Sequence, residues 1–136
     1  MADAVGTMQL HHVGIVVPDL QIARERYERL GFRDGERFPV PEQGIVAIVY
    51  PAGTGYVELI QPTDPQGAIG RYLAKRGERS HHVAFAVPDI DAVLRRLGDA
   101  GVRLIDERSR TGAHGWKIAF IHPEACNGVL TELVQV

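Results

Sequence analysis

Residues 11–20 read HHVGIVVPDL and residues 81–90 read HHVAFAVPDI, an offset of 70 with six of ten positions identical. At the same offset Arg26 meets Arg96, Gly31 meets Gly101 and Arg33 meets Arg103, so the likeness continues through the segment that follows. A second echo closes each half: YVELIQ at 56–61 resembles LTELVQ at 130–135, now at an offset of 74, which implies a longer loop in the second half. Solenoids need three or more short units to bury a continuous core, whereas two units of this size read as one duplicated, pseudo-twofold domain.

Each half carries the same order of elements. His11–Val17 is a β-branched-rich run stopped by Pro18, a strand. Asp19 and Asp89 stand where an N-cap belongs, because a carboxylate oxygen accepts from the free N–H groups of a first helical turn. Leu20, Ala23, Tyr27 and Leu30 share a face of the first helix, and Ile90, Val93, Leu94 and Leu97 of the second. Gly31 and Gly101 then fit the left-handed position that ends a helix. Three strands are expected after each helix, at 32–39, 44–50 and 55–61, then at 102–107, 116–122 and 128–135. The expectation is a single α+β domain of two tandem βαβββ modules, module one over 9–62 and module two over 80–135. A connecting helix is expected over 67–76, with Ile69, Tyr72 and Leu73 facing inward.

The 136 residues suffice for one core but not for two independent ones. A net charge of -2 argues against general affinity for nucleic acid or anionic membranes. No apolar run approaches the roughly 18 residues that span a bilayer, and MADAVGTMQL lacks the order of a secretory signal, so a cytoplasmic protein with a small-molecule partner is expected. The lone Cys126 fits a reducing compartment and reads as structural.

Strand alternation divides the repeated histidines. His12, Gly14 and Val16 share one face, as do His82, Ala84 and Ala86, while His11 and His81 fall on the bulky apolar face suited to helices. The small residues beside His12 and His82 leave room for a ligand. Glu58 and Glu132 hold matching places in each module's last strand, and a carboxylate there is costly unless paired or bound to a cation. Two imidazoles and two carboxylates satisfy a divalent first-row metal and leave positions open. The parity of Glu132 is ambiguous, since it alternates with Leu130 and Val134, which are not small; His114 and His122 read as loop residues.

These residues resemble the vicinal-oxygen-chelate superfamily and, within it, the methylmalonyl-CoA epimerases. The likeness covers 9–135 and is most specific in PEQG at 41–44, ELIQP at 58–62, AIGRYLAKRGERSHHVAF at 68–85, GAHG at 112–115 and FIHPEACNGVLTEL at 120–133. The resemblance implies a cupped, barrel-like mixed sheet with helices outside, a homodimer, and one divalent metal on His12, Glu58, His82 and Glu132. Cobalt is the ion most associated with bacterial members, with manganese, nickel or zinc as alternatives. Ala47 departs from several bacterial epimerases, which place a catalytic glutamate there; animal relatives lack it as well.

What this implies is an isomerase acting on an acyl-CoA: proton removal at C2 of 2-methylmalonyl-CoA, an enolate, and proton return to the opposite face. Glu132 serves as one acid/base group and a ligand, while Glu58 or a metal-bound water serves the other face. Arg71, Lys75 and Arg76 are candidates for the CoA phosphates or simply a solvated helix face. The rivals are a lactoylglutathione lyase-like isomerase and a non-catalytic, resistance-type small-molecule binder of the same superfamily.

Overall fold

A computed structural model of the chain describes residues 8–136. By packing, residues 12–81 form one compact unit, and residues 82–136 with the strand residues up to His11 form another. The first contains most of β1 (Gln9–Val16), then α1 (Leu20–Leu30), β2 (Glu36–Val40), β3 (Ile45–Ala52), β4 (Gly55–Pro62) and α2 (Ala68–Arg76). Its strands lie in the order β2-β3-β4-β1, with β1 parallel to β4 and the other pairs antiparallel. The second is built on β5 (Arg79–Ala86), α3 (Ile90–Asp99), β6 (Arg110–Thr111), β7 (Lys117–Ile121) and β8 (Thr131–Gln135). Its order is β5-β8-β7-β6, with β5 parallel to β8. The βαβββ order thus occurs twice, as the repeat implies. No described helix is long and apolar enough to cross a membrane.

The helix starts follow the sequence signals and add one. Asp19 accepts from the Ile22 N–H and Asp89 from the Ala92 N–H, at 3.0 and 3.1 Å. Gln61 Oε1 accepts from the Leu20 N–H at 2.7 Å, and Gln135 Oε1 from the Ile90 N–H at 2.9 Å. The glutamine that closes each LIQ or LVQ echo therefore ties the last strand of its module to the first turn of its helix. This satisfies a donor that no intrahelical carbonyl can reach.

Each module packs its helix on one face of its sheet. Val17, Leu20, Ala23, Val46, Ile48, Tyr50 and Leu59 form the first core, joined by Ile15, Tyr27, Phe32 and Val57. Val87, Ile90, Val93, Leu94, Ala119, Ile121 and Leu133 form the second, joined by Phe85, Leu97, Val102, Leu104 and Cys126. Cys126 accordingly sits as a half-buried packing residue.

Three expectations need correction. Leu30 is 73% exposed, although its angular position matches Leu20 and Ala23. The chain turns at left-handed Gly31 (φ 115°), and Phe32 folds back so that its N–H donates to the Tyr27 carbonyl. The Phe32 ring then lies 5.5 Å from Tyr27 and 5.9 Å from Tyr50, filling the place expected of Leu30. Residues 102–107 form no strand, only a single bridge between Leu104 and Ile121. There the Asp106 side chain accepts from the Phe120 N–H at 2.9 Å, and the Ile105 and Asp106 N–H groups both donate to the Phe120 carbonyl. A side chain takes the acceptor role that a ladder needs from backbone, so pairing stops. The last strand begins at Thr131 rather than 128, because a 3₁₀ turn (Pro123–Cys126) and left-handed Asn127 and Gly128 occupy the approach.

Candidate functional site

The register of the parallel strand pairs places a histidine and a glutamate side by side in each module. In the first, β1 and β4 pair with Gly14 opposite Glu58; in the second, β5 and β8 pair with Ala84 opposite Glu132. Gly14 and Ala84 lie two residues beyond His12 and His82, so each histidine shares a face with the small residue beside its module's glutamate. His12 Nε2 lies 3.7 Å from Glu58 Oε1, and His82 Nε2 lies 3.1 Å from Glu132 Oε1. All four side chains are largely withdrawn from solvent, Glu58 least so at 15% exposure against 8% for Glu132.

Packing settles the parity of Glu132. Leu133 belongs to the helix-side core of the second module. Val134 packs with Ala84 and Ile118, bordered by Trp116 and Phe120, away from α3. Glu132 shares the parity of Val134 and thus the face of His82 and Ala84. The large neighbours line the floor on which the carboxylate stands. Phe120, directly opposite Glu132 on β7, presents its ring edge-on to His82 with centroids 6.0 Å apart. The first module repeats this plan: Leu59 is on the helix side, while Ile60 packs with Ile45 and Ala47 on the face of Glu58. Ala47 is fully buried in that apolar cluster.

Spacing offers a test of whether each pair suits a cation. Nitrogen and oxygen donors about 2.0–2.2 Å from a shared ion, at tetrahedral or octahedral angles, lie about 2.8–3.6 Å apart. The His82–Glu132 separation of 3.1 Å falls in that range, and the 3.7 Å of His12–Glu58 lies just beyond it. Imidazole and carboxylate together are a donor set for a first-row divalent ion.

The other repeated histidines have aromatic partners. His11 meets Trp116 edge-on, with centroids 4.7 Å apart and planes at 89°, and His81 meets Tyr72 in the same way at 4.7 Å and 88°. The Tyr72 hydroxyl donates to the Ser80 carbonyl, fixing α2 against the start of β5. His114, expected in a plain loop, stacks on Trp116 at 4.3 Å with planes 11° apart and takes a left-handed φ of 63°. Sequence reasoning missed Trp116, a lone tryptophan without a counterpart in the first module. His122 caps the short 3₁₀ turn by accepting from the Glu124 N–H, a local structural role.

Residues 11–120 match the pattern of the glyoxalase/bleomycin resistance protein/dioxygenase superfamily. The mitochondrial methylmalonyl-CoA epimerase of Bos taurus is 36% identical over 129 residues, which span 93% of this chain and 74% of the bovine protein. The crystal structure of methylmalonyl-CoA epimerase from Mycobacterium tuberculosis has a TM-score of 0.89 at 38% identity, covering 99% of this chain and 91% of that one. A methylmalonyl-CoA epimerase solved in complex with methylmalonyl-CoA and NH4+ matches with a TM-score of 0.89 at 37% identity, over 94% of each chain. The α+β fold described above is the glyoxalase-type fold of these structures.

Proposed function

The chain belongs to the methylmalonyl-CoA epimerase family of the glyoxalase/bleomycin resistance protein/dioxygenase superfamily, and on that premise we propose that it interconverts the C2 epimers of 2-methylmalonyl-CoA. His12, Glu58, His82 and Glu132 hold one divalent metal in this reading. The observation that carries it is the repetition of one His–Glu pair at the same register in both modules. Further support comes from His82 and Glu132 of the second module, both buried, with Nε2 and Oε1 3.1 Å apart. When bound, the cation supplies Lewis acidity that neutralises charge developing on the substrate's carboxylate and thioester oxygens.

The chain's own carboxylates move the proton. Glu132 takes the C2 hydrogen as a proton, the C–H electron pair passes toward the thioester carbonyl, and an enolate forms. Glu58, or a water beside it, serves the opposite face, where a proton is returned to C2. The turn ends with the abstracted proton on Glu132 and the opposite face one proton short, the arrangement needed for the reverse direction. Ala47 is buried in the apolar cluster on the Glu58 face and offers no titratable group, so in this reading the second face is served by Glu58 or by a water. The apolar surroundings from Ile60 and Ala47 in one module, and Val134 and Phe120 in the other, strengthen each charge–dipole interaction by excluding water.

The same reading takes cobalt as the native ion and the protein as a cytoplasmic homodimer. Incubating one C2 epimer of methylmalonyl-CoA with purified protein, before and after chelation, tests the proposal. Epimerisation that stops on chelation and returns with a divalent ion is expected. A fully metal-loaded protein that leaves the epimer unchanged overturns the reading.

A further inference from the structure

Phe120 stands opposite Glu132 on β7, and its ring meets the His82 imidazole with planes at 87° and centroids 6.0 Å apart. The ring has a second neighbour. The Arg110 guanidinium lies over it, with Cζ 5.6 Å from the centroid, within the range at which a cation is held by an aromatic face. Arg110 belongs to β6 and pairs with Ile118, which pairs in turn with Val134, so strand alternation puts it on the Glu132 face.

Asp106 fixes both members of this stack. Its Oδ1 accepts from Arg110 Nε at 3.3 Å, and its Oδ2 from the Phe120 N–H at 2.9 Å. One carboxylate thus holds the cation and the backbone of the ring that the cation covers. The Asp106–Arg110 ion pair contributes little by itself, because Arg110 is 48% exposed. What Arg110 adds comes through the ring beneath it.

The matching positions of the first module carry no such brace. Opposite Glu58 stands Val49, and the residue matching Arg110, opposite Ala47, is Phe38. The unbraced pair is the wider one, with 3.7 Å between His12 Nε2 and Glu58 Oε1 against 3.1 Å between His82 Nε2 and Glu132 Oε1. One duplicated frame therefore carries two spacings, and the ring with its cation is a difference located at the pairs themselves.

We infer that Phe120 and Arg110 are positioning residues, holding the His82 imidazole at the spacing from Glu132 that a shared divalent ion requires. This rests on the metal-binding part of the epimerase reading. A ring packed against the imidazole restricts its rotation, and a ligand oriented before the ion arrives loses less freedom on binding it.

Titrating metal-stripped protein with Co2+, and following both the Kd and the visible absorption of the bound ion, tests this without turnover. Phe120→Leu is expected to weaken Co2+ binding by about tenfold, the lower end of the range for losing a group that orients a metal ligand. Arg110→Gln is expected to weaken it by about three- to fivefold, as befits a half-exposed cation on a ring. Both should alter the absorption, which follows the arrangement of the ligands. Arg110→Lys puts a cation back over the ring and is expected to return toward the wild type. Arg103→Gln, from the exposed pair with Glu124 in the same module, is expected to match the wild type throughout. Wild-type Kd and absorption in both Phe120→Leu and Arg110→Gln overturn the inference. So does weaker binding that keeps the wild-type absorption and falls in step with urea stability, the mark of a structural role alone. If Phe120→Leu does not fold by circular dichroism, the comparison of Arg110→Gln with Arg110→Lys decides. Losses as expected, in a protein that leaves C2 of methylmalonyl-CoA untouched, overturn the epimerase reading alone; a wild type that takes up no Co2+ overturns the metal reading and this inference with it.

Discussion

Replacing Glu132 or Glu58 by glutamine tests the two acid/base roles proposed for them. Glutamine keeps the shape and one oxygen donor but cannot accept the C2 proton. Glu132 is the more deeply buried of the two and lies 3.1 Å from His82, so water has little room to substitute for it. Positioned acid/base groups contribute about 10²- to 10⁴-fold, and Glu132→Gln is expected to lower kcat by about 10³-fold. Glu58 is more exposed and 3.7 Å from His12, so solvent can partly replace it, and Glu58→Gln is expected near the lower limit, about 10²-fold. The sharper readout is stereochemical. With one carboxylate per face, each variant should still exchange C2 hydrogen with solvent from one epimer and not from the other, and the two variants should prefer opposite epimers. Proton NMR in deuterium oxide, starting from each epimer separately and with metal content measured in parallel, gives the result. Metal-loaded variants that exchange both epimers at the wild-type rate would refute the two-carboxylate assignment.

Other consequences concern the frame around the site. Tyr50 is fully buried and its hydroxyl donates to Glu28 at 3.0 Å, so Tyr50→Phe should lower stability by about 1–2 kcal/mol in urea unfolding. Burial, then the bond to Glu28, pushes the Tyr50 hydroxyl up from 10.0 to about 12. A raised folded value means its contribution is complete below pH 10 and is lost between 10 and about 12, so the variant should lack that alkaline decline. Asp91 is held below its ordinary value chiefly by the Ser109 backbone N–H, against the cost of burial and with help from the Ser109 hydroxyl. Its contribution is present above the ordinary carboxylate value and fades as pH falls through the lower folded one, so Asp91→Asn should flatten the acid limb of the stability profile. Gly70→Ala, which in an open helix would stabilise, should cost about 1–3 kcal/mol in thermal or urea unfolding, because its methyl meets the Asp64 and Pro65 backbone.

Much of this arrangement is legible in the sequence because the chain states it twice. The paired HHV…VPD segments locate β1 and β5, the aspartate caps locate α1 and α3, and the period-two alternation separates His12 and His82 from His11 and His81. The duplicated glutamates point to the pairs before any distance is known. What escapes is decided by contacts remote in sequence. Asp106 breaks a strand-like run because it reaches the Phe120 N–H across the sheet. Leu30 loses its place to Phe32 through a turn at Gly31. The face of Glu132 is settled by Leu133 and Val134 belonging to different cores. Gln61 and Gln135 were visible as part of the repeat, yet their service to the opposite end of each module depends on parallel pairing of the first and last strands. Trp116, with His11 and His114 on its ring, lies in a loop with no counterpart in the first half and so carries no signal of duplication.

The most direct measurement is uptake of solvent deuterium at C2 of methylmalonyl-CoA by the purified protein, with bound metal quantified on the same sample. One divalent ion per chain and exchange that disappears on chelation and returns on reloading is the expected result. A protein carrying its full complement of metal and leaving the C2 hydrogen untouched would contradict it.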